Sequence, residues 1–143
     1  MPKIKNVFAR EILDSRGNPT VECDIFLEDN SFGRASVPSG ASTGVHEAIE
    51  LRDNDKKRFL GKGVTKAVDN INTTVKNNLN NKNFESSRSF DNFLINLDNT
   101  SNKSNLGSNA TLAASLAFAK SLANQSKNSL FNFLSINKEF LLP

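Results

Sequence analysis

The sequence predicts an α+β domain in which a three-stranded antiparallel meander is followed by a helical bundle packed on one face of the sheet. Three observations carry this. Residues Thr20 to Glu28 alternate, with Val21, Cys23, Ile25 and Leu27 on one side and Glu22, Asp24 and Glu28 on the other, the period of a half-buried strand. Beyond Lys62 the apolar period becomes helical. Clusters of turn formers separate the early segments closely enough for hairpins.

The elements follow in order. Ile4 to Leu13 is rich in β-branched and apolar residues and reads as the first strand, ended by the turn formers Asp14-Ser15-Arg16-Gly17-Asn18-Pro19. Thr20 to Glu28 is the second, with Phe26 interrupting its polar side. Glu28-Asp29-Asn30-Ser31 is a short hairpin connection, and Phe32 to Val37 is a weaker third strand. Val64, Ala67, Val68, Ile71, Val75 and Leu79 form one helical stripe, and Phe90, Phe93, Leu94 and Leu97 a second. Residues 108 to 124 are apolar on nearly every side, so this helix must be central, with Ser108 or Asn109 as its cap. Ser129 caps a last short helix carrying Leu130, Phe131 and Leu134. Asn80 to Ser89 reads as an irregular polar stretch.

The chain has 143 residues, enough for one core but too short for an eight-fold barrel of roughly 250 residues. No apolar run approaches the ~20 residues that span a bilayer. The charged N-terminus has no apolar stretch behind it, so a cytoplasmic location is expected. The single cysteine, Cys23, excludes an internal disulfide and reads as a buried structural thiol. The triplets Asn72-Thr73-Thr74 and Asn109-Ala110-Thr111 are discounted as glycan acceptors in that location. The net charge is +3, with Lys56, Lys57, Arg58, Lys62 and Lys66 grouped. The group reads as a solvated helix face, and with only Phe59 among its cations it does not predict nucleic-acid binding.

One segment lacks a structural reading. Ser39-Gly40-Ala41-Ser42-Thr43-Gly44 has three hydroxyls, two glycines and no bulky side chain. From composition alone it is a flexible lid, an anion cradle or a plain linker. It lacks the Gly-Lys-Ser/Thr of a phosphate loop and the spacing of a dinucleotide fingerprint. His46 is the only histidine, too few for a zinc site. Glu47, Glu50, Asp53 and Asp55 match no metal-ligand spacing, and no serine is marked out as an activated nucleophile.

Several long motifs in register carry a resemblance. Asp14-Ser15-Arg16-Gly17-Asn18-Pro19-Thr20-Val21-Glu22, Val37 through Gly44 with Glu47, and Glu50-Leu51-Arg52-Asp53 leading to Phe59-Leu60-Gly61-Lys62-Gly63-Val64 resemble the N-terminal domain of enolases. Leu97-Asp98, Asn102-Lys103-Ser104, Leu106-Gly107, Asn109-Ala110 and Ser115-Leu116-Ala117 continue it. The pattern departs at Asn99, where glycine is usual, and at Ser108, where alanine is usual. If Asn99 has a positive φ, asparagine is the best-tolerated replacement.

The resemblance implies the same α+β fold, spanning 1–143, with the large α/β barrel that holds the general base and main metal ligands absent. It implies no catalytic residue in this piece. It implies that Ser39, Gly40, Ala41, Ser42, Thr43 and Gly44 form a mobile substrate loop, and that Ser42 binds a second Mg2+ ion when the loop closes. Arg10, Arg16 and Glu22 match positions that family dimers use against the partner's barrel; the alternative is a local surface ion pair. The implied partners are 2-phosphoglycerate or phosphoenolpyruvate, the barrel domain and a second copy, without nucleic acid or a membrane span. A rival reading is a truncated, non-catalytic binding module; a lid domain of another enolase-superfamily member is a third. Alone, the domain is expected to leave Phe131, Phe133, Phe140 and Leu141 uncovered and so to be marginally stable or to self-associate.

Overall fold

A computed structural model describes residues 2–38, 44, 47–80 and 82–135. Strands β1 (Ile4–Leu13), β2 (Pro19–Leu27) and β3 (Phe32–Ser36) form an antiparallel sheet in that order. The hairpin register sets Ala9 opposite Cys23 and Cys23 opposite Ala35. The predicted strands are therefore present, with β2 shifted by one residue at each end and β3 ending one residue early. Val21, Cys23, Ile25 and Leu27 are fully buried, each aliphatic contributing about 1.5–3 kcal/mol of burial. Burial also pushes the Cys23 thiol up to about 12, as an inert structural thiol requires.

After a 3-10 turn (Phe59–Gly61), α1 (Thr65–Asp69) runs through a π-helical segment (Asn70–Val75) into α2 (Lys76–Asn78). The stripe explains the widening. Ala67, Ile71, Val75 and Leu79 are all buried at four-residue steps, which overshoot a turn of 3.6 residues. The wider π turn takes up the drift and keeps the stripe facing the core.

Helix α3 (Ser87–Asp98) begins with a capping box between Ser86 and Ser89 and ends at Asn99 in the left-handed region, φ 55°. The asparagine thus stands where the resemblance places a glycine, at a position that needs positive φ. Phe84 lies in the stretch read as irregular and polar, yet it is buried against Phe90, Phe93 and Phe118 at centroid separations of 5.0, 5.3 and 5.8 Å. A lone aromatic has no period to betray it, and only the fold collects these rings.

Helix α4 (Ser108–Gln125) is central as predicted, with ten buried residues. Its cap is not as predicted. Gly107, at φ 95°, is the N-cap and makes no side-chain cap bond, while Asn109 Oδ1 accepts from the Ala110 N–H at 3.2 Å as well as from Leu51. In α5 (Leu130–Leu134) Ser129 holds the N-cap position without a side-chain hydrogen bond. Phe131 is 61% exposed, Phe133 packs against the core, and Phe140 and Leu141 lie outside the described residues.

The grouped cations do not form a helix face. Lys56 and Lys57 are exposed in a turn before α1. Lys62 Nζ donates to Asn18 Oδ1 at 3.0 Å. Arg58 donates to both oxygens of Glu11, 2.9 Å to Oε2. The patch is thus partly consumed by tying the turn to β1.

Candidate functional site: the stem of the Ser-Gly loop

The Ser-Gly segment leaves the sheet after Val37, whose N–H still bonds Val21 at 3.0 Å. Ser39, Gly40, Ala41, Ser42, Thr43 and His46 lie outside the described residues, so their predicted roles have no geometry here. Gly44 is exposed, and its carbonyl accepts from the Glu47 N–H at 3.2 Å.

From residue 49 the chain becomes an extended strap fixed at short intervals. Ile49 N–H donates to Asn102 O at 2.7 Å, and Ile49 O accepts from Ser108 N–H at 2.8 Å. Leu51 N–H donates to Asn109 Oδ1 at 3.1 Å, and Asn109 Nδ2 donates to Leu51 O at 3.0 Å. Arg52 donates to the carbonyls of Pro19 and Lys62, both at 2.6 Å, and to Glu50 Oε1 at 2.8 Å. Asp53 N–H bonds Gly63 O at 2.8 Å, while its carboxylate accepts from the Thr65 and Lys66 N–H groups, each at 2.9 Å, capping α1 from outside. Asp53 and Asp55 therefore do not pair as metal ligands. Asp55 Oδ1 is instead 3.0 Å from the Lys57 N–H, as its acceptor.

The strap, α3 and the first half of α4 enclose a concavity of about 660 Å³, lined among others by Pro38, Gly44, Ile49, Leu94, Ile95 and Leu112. Ile49, Ile95 and Leu112 are 43, 46 and 44% exposed, so its walls present uncovered apolar surface. Glu47 and Glu50 also line it. Among the described residues no three His, Cys, Asp or Glu side chains are grouped to hold a metal.

The predicted Arg10 and Glu22 meet on the outer face of the sheet, Nη1 to Oε1 at 2.5 Å, whereas Arg16 stays in the β1–β2 turn, 3.8 Å from Asp14. The sequence reading missed the centre of this network. Asp24, only 3% exposed, accepts from Arg10 and from Arg34 Nε at 2.7 Å, and Ser36 Oγ donates to Glu22 Oε2 at 2.6 Å. The signal was present as facing opposite charges in register, but only once the hairpin register is known.

The carboxylates in these braces favour their charged forms. Hydrogen bonds from Arg34 and Arg10 hold Asp24 below the usual range despite its burial. Arg58 does the same for Glu11. Burial works against ionisation of Asp98, but bonds from Thr100 and the Leu106 N–H outweigh it. Folded values below unfolded ones mean stability that is present above the unfolded pKa and lost as pH falls through the folded values. Thermal unfolding followed by circular dichroism is therefore expected to show a falling Tm below about pH 4, the unfolded carboxylate range. A Tm unchanged down to pH 3, about one unit below that range, would show that these pairs contribute nothing.

Comparison with known proteins adds the relationship. The family described as "Enolase, N-terminal domain" matches residues 4–134. Enolase 1 of Chlorobaculum tepidum is 55% identical over 141 residues, covering 99% of this chain and 33% of that protein. The chain therefore spans about a third of the length of this curated relative. No helix among the described residues is long and apolar enough to cross a membrane.

Proposed function

Because the chain belongs to the enolase N-terminal domain family, we propose that it is the lid-bearing domain of a cytoplasmic enzyme that reversibly dehydrates 2-phosphoglycerate to phosphoenolpyruvate. The observation that carries this reading is the family match across nearly the whole described chain, joined to 55% identity with an enolase. Magnesium, when bound, supplies concentrated positive charge beside the developing negative charge of the substrate. The chain's own part is to offer the Ser42 hydroxyl and carbonyl as hard oxygen ligands and to exclude water when the loop closes. Gly40 and Gly44 let the backbone approach without a Cβ in the way.

In this reading the barrel domain lies over the concavity beside the loop stem, covering Ile49, Ile95 and Leu112. The outer sheet face is the dimer contact. Arg10 and Glu22 already satisfy each other there, so a partner's charges would join an existing network. Arg16 would reach the partner from the turn. The chain alone contributes no general base and is expected to be inactive.

The test is a chimera in which this chain replaces the matching 141 residues of the Chlorobaculum tepidum Enolase 1. Magnesium-dependent formation of phosphoenolpyruvate by the chimera, absent from the chain alone, is the expected result. A folded chimera with no such activity would overturn the reading.

A further inference from the structure

The geometry points to Asn109 as a positioning residue that fixes the C-terminal stem of the Ser39–Gly44 loop, an inference that rests on the reading of that loop as the substrate lid. Asn109 is 2% exposed at the start of α4. Both polar atoms of its amide are turned on one residue of another segment. Oδ1 accepts from the Leu51 N–H and Nδ2 donates to the Leu51 carbonyl. A side-chain amide offers the same donor–acceptor pair as a peptide group, so Asn109 binds the strap as a neighbouring strand would. Two residues earlier the backbone continues this pairing, with Ile49 bonded to Asn102 and Ser108. The strap is thus held at alternate residues, 49 and 51, by one short stretch of chain.

The surroundings leave the clamp little freedom. A Cβ at Gly107 would lie 2.5 Å from Asn109 Oδ1 and 2.6 Å from Leu51 Cβ. The N-cap glycine is therefore needed for the strap to sit this close. Upstream, the Gly44 carbonyl accepts from the Glu47 N–H at 3.2 Å. The strap that follows the loop is held at the residues that Asn109 and its neighbours bond. A loop that must deliver Ser42 to one geometry needs such an abutment, because a misplacement of about 1 Å can cost about 100-fold in rate.

The test uses Asn109→Leu, which removes both bonds at similar volume, and Asn109→Asp, which keeps the acceptor for the Leu51 N–H. In the 143-residue chain, hydrogen exchange is measured at Ile49 and Leu51 against β2 amides such as Ile25. Asn109→Leu is expected to speed exchange at Ile49 and Leu51 by about tenfold or more, leaving β2 unchanged; Asn109→Asp is expected to give a smaller increase. In the chimera, Asn109→Leu is expected to lower kcat about 10- to 100-fold with KM little changed, because the closed loop acts in the transition state. Unchanged Leu51 protection overturns the inference. So does lost protection with normal kcat, or a uniform speeding of β2, which would make Asn109 a general stabiliser. If Asn109→Leu does not fold, Asn109→Asp decides by the same readouts. An inactive parent chimera overturns the functional reading and this inference with it, and exchange in the chain then reports only whether the clamp exists.

Discussion

Gly33→Ala is expected to lower the Tm of the domain by roughly 10 °C, the size of a strain near 3 kcal/mol in a chain of this length. Gly33 sits in β3 opposite Ile25, with its back against α4. A Cβ built there would lie 2.1 Å from the Ala117 carbonyl oxygen and 2.4 Å from the Ser121 N–H nitrogen. Both are backbone atoms of a helix with ten buried residues, so no flexible side chain can yield. The strand or the whole helix must move, and interiors packed this densely transmit such shifts. Gly17 is the control. It has φ 75° but nothing within 4 Å of its virtual Cβ. Gly17→Ala is expected to cost only the left-handed backbone penalty of about 1–2 kcal/mol, and Gly17→Asn less. Thermal melts of the variants separate the two kinds of glycine. A Gly33→Ala melt no lower than that of Gly17→Ala would refute the close-approach argument.

The contrast also explains what the sequence discloses. Alternation over Val21, Cys23, Ile25 and Leu27 is a local pattern, and the structure buries all four. The all-round apolar character of residues 110 to 123 is local too, and it correctly makes α4 central. What was not legible depends on pairs far apart in the chain. Asn109 holds Leu51 across 58 positions. Asn72 does the same for the free edge of β1, its amide accepting from Ala9 N–H at 2.8 Å and donating to Ala9 O at 2.9 Å. In sequence Asn72 stands only in a triplet discounted as a glycan acceptor and Asn109 reads as a helix cap, whereas in the fold both side chains bond the backbone of distant residues. Asp98 is fully buried, yet it organises the turn to Leu106 through a 2.7 Å bond to that N–H. Polar residues of this kind have no period, because their partners come from topology rather than from a repeating face.

The Ser-Gly loop inverts this relation, since its composition alone sets it apart and its chemistry can be tested through rate and stability. Ser42→Ala in the chimera is expected to lower turnover by at least about 10- to 100-fold, the scale of losing support for a metal site. The same change is expected to move Tm by no more than about 1–2 °C, as a substitution that removes no core contact contributes within about 0.5 kcal/mol. The split between the two effects is the argument. A linker serine would change neither quantity. A packing serine would change stability and rate together. A hydroxyl that acts in the closed loop, as a ligand or in closing it, lowers rate while leaving the fold intact, and the response to magnesium separates the two. Because alanine keeps the backbone carbonyl as an oxygen donor, part of the shell survives, and raising magnesium is expected to recover some of the lost rate. Near-normal turnover of Ser42→Ala would return the segment to a plain linker. Lost turnover that magnesium cannot relieve would point instead to the loop's closing motion, the step the Asn109 clamp is inferred to govern.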